Sequence, residues 1–272
     1  MSANPTDSAA PLLQVRDLGV RFGGVRAVDG VSFEVCRGEV LTLIGPNGAG
    51  KTTVFNLISR LYEPTAGSIV FDGRDITGVA PHAIASLGIA RTFQNIELFE
   101  HATVLHNLLI GRHRHRRTRV FEELFFTARV RAAEVQARRK VEEVIEFLDL
   151  QPHRDALVAG LPYGVRKVVE LARALATEPV LLLLDEPSSG LNVEETSDMA
   201  FWIDDICHQL GITVLMVEHD MTLVSRVSDR VVALNQGKVL AAGTPQEVQA
   251  HPGVVEAYLG ASEDLSHLRR AR

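Results

Sequence analysis

The amino-acid sequence predicts an α/β fold with a mostly parallel sheet covered by helices on both faces. Strand and helix alternate in the C-terminal half, where the apolar runs Leu181–Leu184 and Thr213–Val217 flank a helix over Thr196–Leu210. This alternation is typical of parallel sheets whose connections pack as helices on both faces. A second observation agrees with it: the apolar strand Val40–Ile44 leads into a glycine-rich loop, and Val54–Leu61 continues as a helix.

Turn residues and hydrophobic periodicity predict the remaining elements. Short β-like runs alternate with turns near the N-terminus, at Leu12–Val15, Val31–Val35 and Ser68–Phe71. A hairpin formed by Val231–Leu234 and Lys238–Ala242 follows the last helix-strand pair. The stretch from about Ala83 to Leu150 is predicted to be mainly helical, and a further helix begins near Gly164. Thr244-Pro245-Gln246-Glu247 predicts a helix start with a capping box.

Composition and charge narrow the class of protein. The chain has 272 residues, 46% of them hydrophobic and 23% charged, which is typical of a globular protein. A formal net charge of −6 gives no reason to expect nucleic-acid binding. Cys36 and Cys207 form neither a metal nor a disulfide pattern, which indicates a reduced, intracellular setting. Residues 1–11 do not resemble a signal peptide, and no apolar run reaches the roughly 18 residues of a membrane span.

The segment from Gly45 to Thr52 has the pattern and the flanks of a phosphate-binding loop, a buried strand before it and a helix after it. Its glycines allow backbone N–H groups to surround phosphate oxygens, and the helix N-terminus adds partial positive charge. Lys51 is expected to neutralise the β- and γ-phosphates, and Thr52 to bind Mg²⁺. The predicted ATP-binding residues here are Gly45, Pro46, Asn47, Gly48, Ala49, Gly50, Lys51, Thr52 and Thr53. A glycine-rich turn that only happens to end in Lys-Thr is the alternative.

Two carboxylates follow the apolar strand Leu181–Leu184. Asp185 stands at the C-terminal end of the strand, where a carboxylate suits the Mg²⁺ and water shell of a nucleotide site. Glu186 is placed to polarise the attacking water as a general base. The alternative is that the two carboxylates have no function and are only solvated at the end of the strand. The presence of the phosphate loop argues against this interpretation.

Further motifs complete a pattern that resembles the nucleotide-binding subunit of ATP-binding-cassette (ABC) transporters over about residues 12–260. The motifs are Arg91-Thr92-Phe93-Gln94, Leu161-Pro162-Tyr163-Gly164-Val165, Ser189-Gly190-Leu191-Asn192 and Glu218-His219-Asp220. The closer resemblance is to the ATP-binding subunits of branched-chain amino acid importers, and it also includes Arg21-Phe22-Gly23-Gly24 and the ending Val254–Gly260. Urea and amide importers look similar, so the solute does not follow from these motifs.

The resemblance implies an ABC-type P-loop ATPase fold. Its core sheet is expected to be mixed and largely parallel, with an N-terminal antiparallel β subdomain and a helical subdomain inserted over about residues 95–165. Residues 1–11 and 261–272 are expected to be flexible tails. Phe22 would stack on adenine, with an ordinary core phenylalanine as the alternative. Gln94 would sense Mg²⁺ and the attacking water, and His219 would contact the γ-phosphate and align the water with Glu186.

The segment Leu161, Pro162, Tyr163 and Gly164 corresponds to the signature motif, which in this family binds the ATP held by the opposite subunit. The resemblance therefore implies a dimer of cassettes, identical or different, on the cytoplasmic face of the plasma membrane. Transmembrane permease subunits and, indirectly, a solute-binding protein are the other expected partners. Pro162 and Val165 depart from the usual Ser and Gln. Because Pro162 offers neither a hydroxyl nor an N–H, we expect weakened closure on the partner's ATP.

A basic stretch lies between Arg112 and Lys140, with ten Lys or Arg residues against three Glu. A solvated helical hairpin is one interpretation, and contact with anionic headgroups or the membrane subunit is the other. His113 and His115 are poor metal ligands because no Cys or carboxylate partner accompanies them.

The sequence therefore predicts the ATP-hydrolysing subunit of an ABC importer, for branched-chain amino acids or a related small polar solute such as urea or an amide. The predicted metal ligands are Thr52, Gln94 and Asp185, and the predicted catalytic residues are Glu186, His219 and Gln94. Two other functions stay open, a soluble ABC ATPase without a transport role and a nucleotide-binding regulatory subunit with weak turnover. A P-loop kinase would explain Lys51 and Asp185 but not the other motifs.

Overall fold

The computed structural model describes residues 11–112 and 128–259. They form two compact units. The first contains the chain up to Pro81 together with the part from Ile203 onwards, and the second contains His82–Trp202. The strands and the predicted site residues are therefore divided between two parts of the chain.

An antiparallel sheet forms the N-terminal part of the first unit. Strand β1 (Leu13–Phe22) pairs with β2 (Val25–Val35) and with β4 (Ala66–Phe71), and β5 (Arg74–Asp75) extends the edge, in the order β2-β1-β4-β5. Gly23 adopts a φ of 58° in the turn between β1 and β2, a left-handed conformation that glycine reaches at little cost. The three predicted N-terminal runs are confirmed as strands, although β1 and β2 are longer than predicted.

A second sheet of the first unit leads into the phosphate loop. Strand β3 (Val40–Ile44) pairs in parallel with β8 (Thr213–Val217) and β9 (Arg230–Asn235), and β10 (Lys238–Gly243) pairs antiparallel with β9. Every residue of β3 and β8 is buried, which explains why both strands are almost uninterrupted apolar runs. The mixed strand directions agree with the predicted mixed sheet.

The helices of the first unit are α1 (Lys51–Ile58), α7 (Met221–Val227), α8 (Pro245–Gln249) and a helix over residues 252–259. The predicted capping box begins α8: the Thr244 hydroxyl accepts the Glu247 N–H at 3.3 Å, and the Glu247 carboxylate accepts the Thr244 N–H at 2.8 Å. Apolar side chains of β3, β9 and these C-terminal helices pack in one cluster that includes Ile44, Val231 and Val254. The helix over residues 252–259 is thereby packed against the strand that precedes the phosphate loop.

The second unit combines two parallel strands with helices. Strand β6 (Ile89–Arg91) pairs in parallel with β7 (Leu181–Asp185). The helices that begin or lie in this unit are α2 (Pro81–Leu87), α3 (Val104–Gly111), α4 (Ala128–Phe147), α5 (Tyr163–Leu175) and α6 (Val193–His208). The helices predicted near Gly164 and Thr196 are confirmed as α5 and α6.

The prediction of a mainly helical stretch from Ala83 to Leu150 is wrong for residues 89–91. These residues form β6 because the backbone around them pairs with the start of β7: the Gly88 carbonyl accepts the N–H groups of Val180 and Leu181, at 2.8 and 3.1 Å. Residues 92–103 then lie outside regular helix or strand. Within the described part of this stretch, the α-helical content is confined to α2, α3 and α4.

Only Arg112 and the part of the basic stretch from residue 128 onwards lie within the described residues. Arg112 is buried, and its guanidinium bonds the Ala176 carbonyl and Glu178, so it contributes no surface charge there. On α4, Arg138 pairs with Glu134, and both Arg139 and Lys140 pair with Glu143, which is the pattern of a solvated helix face. Residues 113–127, with His113 and His115, lie outside the described residues.

Candidate nucleotide site

The phosphate loop joins β3 to α1 through three glycines in left-handed conformations. Gly45, Gly48 and Gly50 have φ values of 148°, 81° and 101°, and Gly50 is the residue immediately before the first turn of α1. Such conformations are costly for residues with a Cβ atom. The loop therefore reaches the helix N-terminus, with its partial positive charge, at Lys51.

Neighbouring backbone leaves no room for side chains at two of these glycines. A Cβ atom on Gly45 would lie 2.2 Å from the Leu234 carbonyl oxygen, and one on Gly50 would lie 2.7 Å from the Ala27 carbonyl oxygen. The Gly237 N–H also donates to the Ala49 carbonyl at 3.0 Å. The start of β2 and the β9–β10 turn thus determine the shape of the loop, in addition to its own sequence.

The side chains of the loop differ in exposure in a way that suits their predicted tasks. Lys51 is buried, and its ammonium group donates to the carbonyls of Gly45 and Pro46 at 2.6 and 3.1 Å. Thr52, in contrast, is exposed at the start of α1. The structure thus holds a buried cation against the loop backbone beside an exposed hydroxyl.

A tyrosine from the C-terminal helix bonds the first residue of the loop. The Gly45 N–H donates to the Tyr258 hydroxyl at 2.9 Å, and burial raises the pKa of this tyrosine above its ordinary value. Sequence reasoning missed this contact, although Tyr258 stands in the ending Val254–Gly260 that carries part of the family resemblance. The hydroxyl satisfies a backbone N–H that would otherwise lack a partner at the loop entry.

Phe22, at the end of β1, is an exposed member of an aromatic pair. Its ring lies 5.1 Å from the ring of Tyr62, edge to face, at an interplanar angle of 71°. Both side chains are large and exposed, at 46% and 41%, in contrast to core aromatic residues such as Phe55. The pair offers an accessible aromatic face, so that the interpretation of Phe22 as an ordinary core residue is not supported.

Asp185 ends β7 as a buried carboxylate with one oxygen available. The Asp185 side chain is 2% exposed; its Oδ2 accepts a hydrogen bond from Arg91 at 2.8 Å, and its Oδ1 has no partner among the described residues. A buried carboxylate oxygen without a donor is costly unless a ligand or water completes its shell. This oxygen is suitable for a hydrated divalent cation.

Glu186 and Gln94 are in direct contact within the second unit. The Gln94 side-chain amide donates to Glu186 Oε2 at 2.9 Å. Glu186 has a φ of 52°, an uncommon conformation for a residue with a side chain, and its carbonyl accepts a hydrogen bond from Lys167 at 3.3 Å. The structure thus brings together two of the three residues predicted to take part in catalysis.

His219, the third of these residues, lies in the first unit just after β8. Its side chain is 60% exposed, whereas that of the preceding Glu218 is fully buried. The Glu218 carboxylate accepts the N–H groups of His219 and Asp220 at 2.9 and 3.3 Å. Glu218 therefore fixes the backbone at the histidine, a function that the sequence pattern does not reveal.

The segment from Leu161 to Gly164 opens α5, and Pro162 is the residue immediately before the first turn. No side-chain hydrogen bond caps that turn. Tyr163 donates from its hydroxyl to the Ser189 carbonyl at 3.3 Å. A Cβ atom on Gly164 would lie 2.1 Å from Glu195 Oε1, so a larger residue would have to displace this carboxylate.

Asn192 and Glu195 begin α6 as a reciprocal cap. The Asn192 side chain accepts the Glu195 N–H at 3.0 Å, and the Glu195 carboxylate accepts the Asn192 N–H at 2.9 Å. Because Glu195 also packs beside Gly164, the start of α6 is next to the start of α5. Asn192 is thus held by local structure in the same region as the predicted signature segment.

The predicted residues fall into two groups by unit. The first unit holds Phe22, Gly45–Thr53 and His219, and the second holds Gln94, Leu161–Gly164, Asp185 and Glu186. Residues 11–112 and 128–259 contain no cluster of three or more His, Cys, Asp or Glu side chains suited to a metal. Over the same ranges no helix has both the length and the apolar character of a membrane span.

Comparison with known proteins identifies the family. A profile described as ABC transporter matches residues 28–189, more than half of the chain. The chain belongs to the ABC transporter family. Nucleotide binding and ATP hydrolysis follow from this membership. A second profile, described as branched-chain amino acid ATP-binding cassette transporter, matches residues 238–264 of this ABC protein.

Curated relatives of this ABC protein agree with both profiles. It is 44% identical over 250 residues to the high-affinity branched-chain amino acid transport ATP-binding protein BraF of Pseudomonas aeruginosa, covering 92% of this chain and 98% of the relative. It is 41% identical, with the same coverage, to the corresponding protein LivG of Escherichia coli. The similarity therefore spans whole cassettes and is not limited to the nucleotide motifs.

Solved cassettes share the fold of this ABC protein. A nucleotide-free ATP-binding cassette from an ABC transporter matches with a TM-score of 0.80 at 32% identity, covering 91% of this chain and 98% of that one. The ADP conformation of MJ1267, another ATP-binding cassette of an ABC transporter, also matches with a TM-score of 0.80, at 31% identity over 93% of this chain and all of the other. The predicted ABC-type P-loop fold is thereby confirmed.

Proposed function

We propose that this ABC protein is the ATP-hydrolysing subunit of an importer of branched-chain amino acids. The observation that supports this most is the combination of 44% identity to BraF over nearly the whole chain with the C-terminal match at residues 238–264. A related small polar solute, urea or an amide, is the alternative within the same class of transporter. The cassette itself does not contact the solute in this proposal, because it supplies only the work of ATP hydrolysis.

The phosphate loop is the nucleotide site in this proposal. Its backbone N–H groups and Lys51 hold the phosphates, and the exposed face of Phe22 stacks on the adenine. The residues Gly45, Pro46, Asn47, Gly48, Ala49, Gly50, Lys51, Thr52 and Thr53 form this site. Mg²⁺ fits the donor set of Thr52, Gln94 and Asp185 together with nucleotide oxygens and water, because all three side chains offer oxygen. The Oδ1 of Asp185, which has no partner in the described parts of the chain, supports its part in that set.

Glu186 carries the proton chemistry in the proposed mechanism. Its carboxylate accepts the proton of the attacking water, and the Gln94 amide, already bonded to that carboxylate, holds its orientation. His219, exposed on a backbone fixed by Glu218, contacts the γ-phosphate and aligns the water. Mg²⁺ would supply charge neutralisation at the β- and γ-phosphates when bound.

A second cassette completes each site in this proposal. Leu161, Pro162, Tyr163 and Gly164 face the ATP of the partner cassette, which is either a copy of this chain or a different subunit. Transmembrane permease subunits receive the motion, so that the chain is peripheral on the cytoplasmic face of the plasma membrane, and a solute-binding protein delivers the solute to them. The exposed Pro162 and Tyr163 at the start of α5 support this assignment, because a helix N-terminus attracts phosphate.

Reconstitution tests the proposal directly. Proteoliposomes that contain the permeases and both cassettes, with Mg-ATP on the cassette side, are supplied with binding protein and radiolabelled leucine. We expect accumulation of leucine and ATP turnover that rises with solute. The Glu186→Gln variant is the control: ATP binding stays, and turnover falls by roughly 10²–10⁴-fold, the usual contribution of a general base. Uptake of urea but not of leucine would reassign the solute. An ATP hydrolysis rate that does not change with any solute would contradict the importer function.

A further inference from the structure

Helix α5 has a polar face that reaches four backbone groups around the catalytic pair. Lys167, Glu170 and Arg173 follow one another at intervals of three residues and therefore lie on one side of the helix, which we call the α5 face. Lys167 and Glu170 are almost fully buried, at 4% and 2%. Buried charged side chains at such spacing require specific partners.

The partners are the residues that flank Gln94. The Phe93 N–H donates to the Glu170 carboxylate at 3.1 Å, and the Glu97 N–H bonds the same carboxylate. The Arg173 guanidinium donates to the Glu97 carbonyl at 2.5 Å. Both ends of the short segment from Phe93 to Glu97 are thus tied to α5, and Gln94 lies between them.

The same helix also bonds Glu186. The Lys167 ammonium donates to the Glu186 carbonyl at 3.3 Å, while the Gln94 amide donates to the Glu186 carboxylate at 2.9 Å. Both members of the catalytic pair are therefore positioned against one rigid element. A shift of α5 would move the two bonds together.

We propose that Glu170 and Arg173 are positioning residues that hold the Gln94 amide on Glu186. Through them, a movement of the signature segment at the start of α5 would shift the catalytic carboxylate of the same chain. The proposal rests on the proposed function, because α5 begins at Pro162 and Tyr163, which would meet the partner's ATP. Occupation of the partner's site would be transmitted along one continuous helix of 13 residues. The contacts that would carry this movement are already formed in the structure.

Burial makes the Glu170 contact difficult to replace. Burial raises the pKa of the Glu170 carboxyl and lowers the pKa of the Arg173 guanidinium, although their hydrogen bonds and opposite charges act in the other direction. The Glu170 carboxylate is thus held in a site with little water, where its loss leaves the Phe93 N–H without this hydrogen bond, whereas the Arg173–Glu97 contact lies nearer the surface. Water cannot readily take the place of the missing side chain.

Kinetics of variants in the assembled transporter provide the first test. Glu170→Ala and Arg173→Met remove the two ties, Arg173→Lys retains a donor, and Glu142→Ala is the matched control, because it removes a half-buried carboxylate of the same unit that binds Arg154 instead. We expect kcat to fall by about tenfold or more with the ATP dissociation constant changed less than about twofold, since small errors in catalytic geometry cost one to two orders of magnitude. Arg173→Lys should recover part of the rate.

Hydrogen exchange of the isolated chain provides the second test, and it does not depend on transport. In Glu170→Ala the amides of Phe93 and Glu97 should exchange at least about tenfold faster than in the parent chain, and in Glu142→Ala they should not. Unchanged exchange, or a loss of kcat no greater than in the control at equal melting temperature, would overturn the proposal. If the reconstituted transporter shows no import but the exchange result is as expected, the contact between α5 and the segment around Gln94 is supported and its role in transport is not.

Discussion

Tyr258 shows how one side chain connects the helix over residues 252–259 to the phosphate loop. Its hydroxyl accepts the N–H of Gly45, the residue at which β3 becomes the phosphate loop. On the other side of Gly45 the Leu234 carbonyl leaves no space for a Cβ atom. The loop entry is therefore enclosed by backbone on one side and by a tyrosine from the C-terminal helix on the other. The Tyr258 contact lies in the part of the chain that matches the branched-chain amino acid transporter profile.

Tyr258→Phe tests this contact at the scale of a single hydrogen bond. The ring and its packing stay, while the Gly45 N–H loses its partner, which costs about 1–3 kcal/mol. We expect a lower melting temperature and an ATP affinity reduced several-fold, measured by calorimetric titration. Tyr62→Phe is the control, because it removes a hydroxyl from an exposed ring that keeps its contact with Phe22. Equal affinities of the two variants would contradict a function for the Tyr258 hydroxyl.

At the scale of elements, the starts of α5 and α6 differ in how they are capped. Helix α6 begins with the reciprocal Asn192–Glu195 cap, whereas α5 begins after Pro162 without a side-chain cap. Proline suits the start of a helix because its missing N–H is not required there. The Pro162 side chain consequently provides no cap for the first N–H groups of α5.

Pro162→Ser introduces the hydroxyl that the family usually has at this position. A serine before the first turn can cap α5, which is typically worth about 1 kcal/mol of stability relative to a residue without a cap. We expect a slightly higher melting temperature of the isolated chain and, in the assembled transporter, a higher ATPase rate through tighter closure on the partner's ATP. The ATPase rate and nucleotide affinity are measured together. If neither changes, Pro162 is a neutral variant of the signature segment.

Several elements were predictable because their signal is local. The buried strands β3, β7 and β8 are short apolar runs, and the cap of α8 is written in four consecutive residues, Thr244–Glu247. Strand β6 was not predictable: three residues, Ile89–Arg91, are too few to show a period, and they follow directly after α2. Their conformation comes from pairing with β7, which lies about ninety residues further along the chain.

The site shows the same division between local and distant information. The glycine pattern from Gly45 to Gly50 could be recognised because each left-handed residue is a glycine. The hydrogen bonds of Glu170 to Phe93 and of Tyr258 to Gly45 could not be predicted from the sequence. They join residues that are far apart in sequence and come into contact only through tertiary packing. The function of Glu218 in fixing the backbone at His219 could not be predicted for a related reason, since its burial is visible only in the folded chain.

At the scale of the whole molecule, the buried thiol of Cys207 makes stability sensitive to alkaline pH. Burial raises the pKa of this thiol from 9.0 to about 11. Because the folded state favours the protonated thiol, the contribution is complete below pH 9, and it is lost as the pH rises towards 11. A shift of this size corresponds to about 2–3 kcal/mol of folding free energy.

Denaturant unfolding between pH 8 and pH 11 measures this effect. We expect the free energy of unfolding to decrease over this range by about 2–3 kcal/mol more in the parent chain than in Cys207→Ala. The comparison is made in a Cys36→Ala background, because burial also raises the pKa of Cys36. Other groups that titrate here are common to both proteins and cancel in the difference. Parallel curves for the two proteins would show that Cys207 has no such effect.

The bond between Tyr258 and Gly45 also has a consequence for biosynthesis. A ribosome makes the phosphate loop early and residue 258 more than two hundred residues later, so a nascent chain carries the loop for most of its synthesis without this partner. The entry of the loop is completed only when the helix over residues 252–259 has emerged and packed. We therefore expect full affinity for ATP to be acquired only at this late stage of synthesis, and a chain truncated before Tyr258 to bind ATP more weakly.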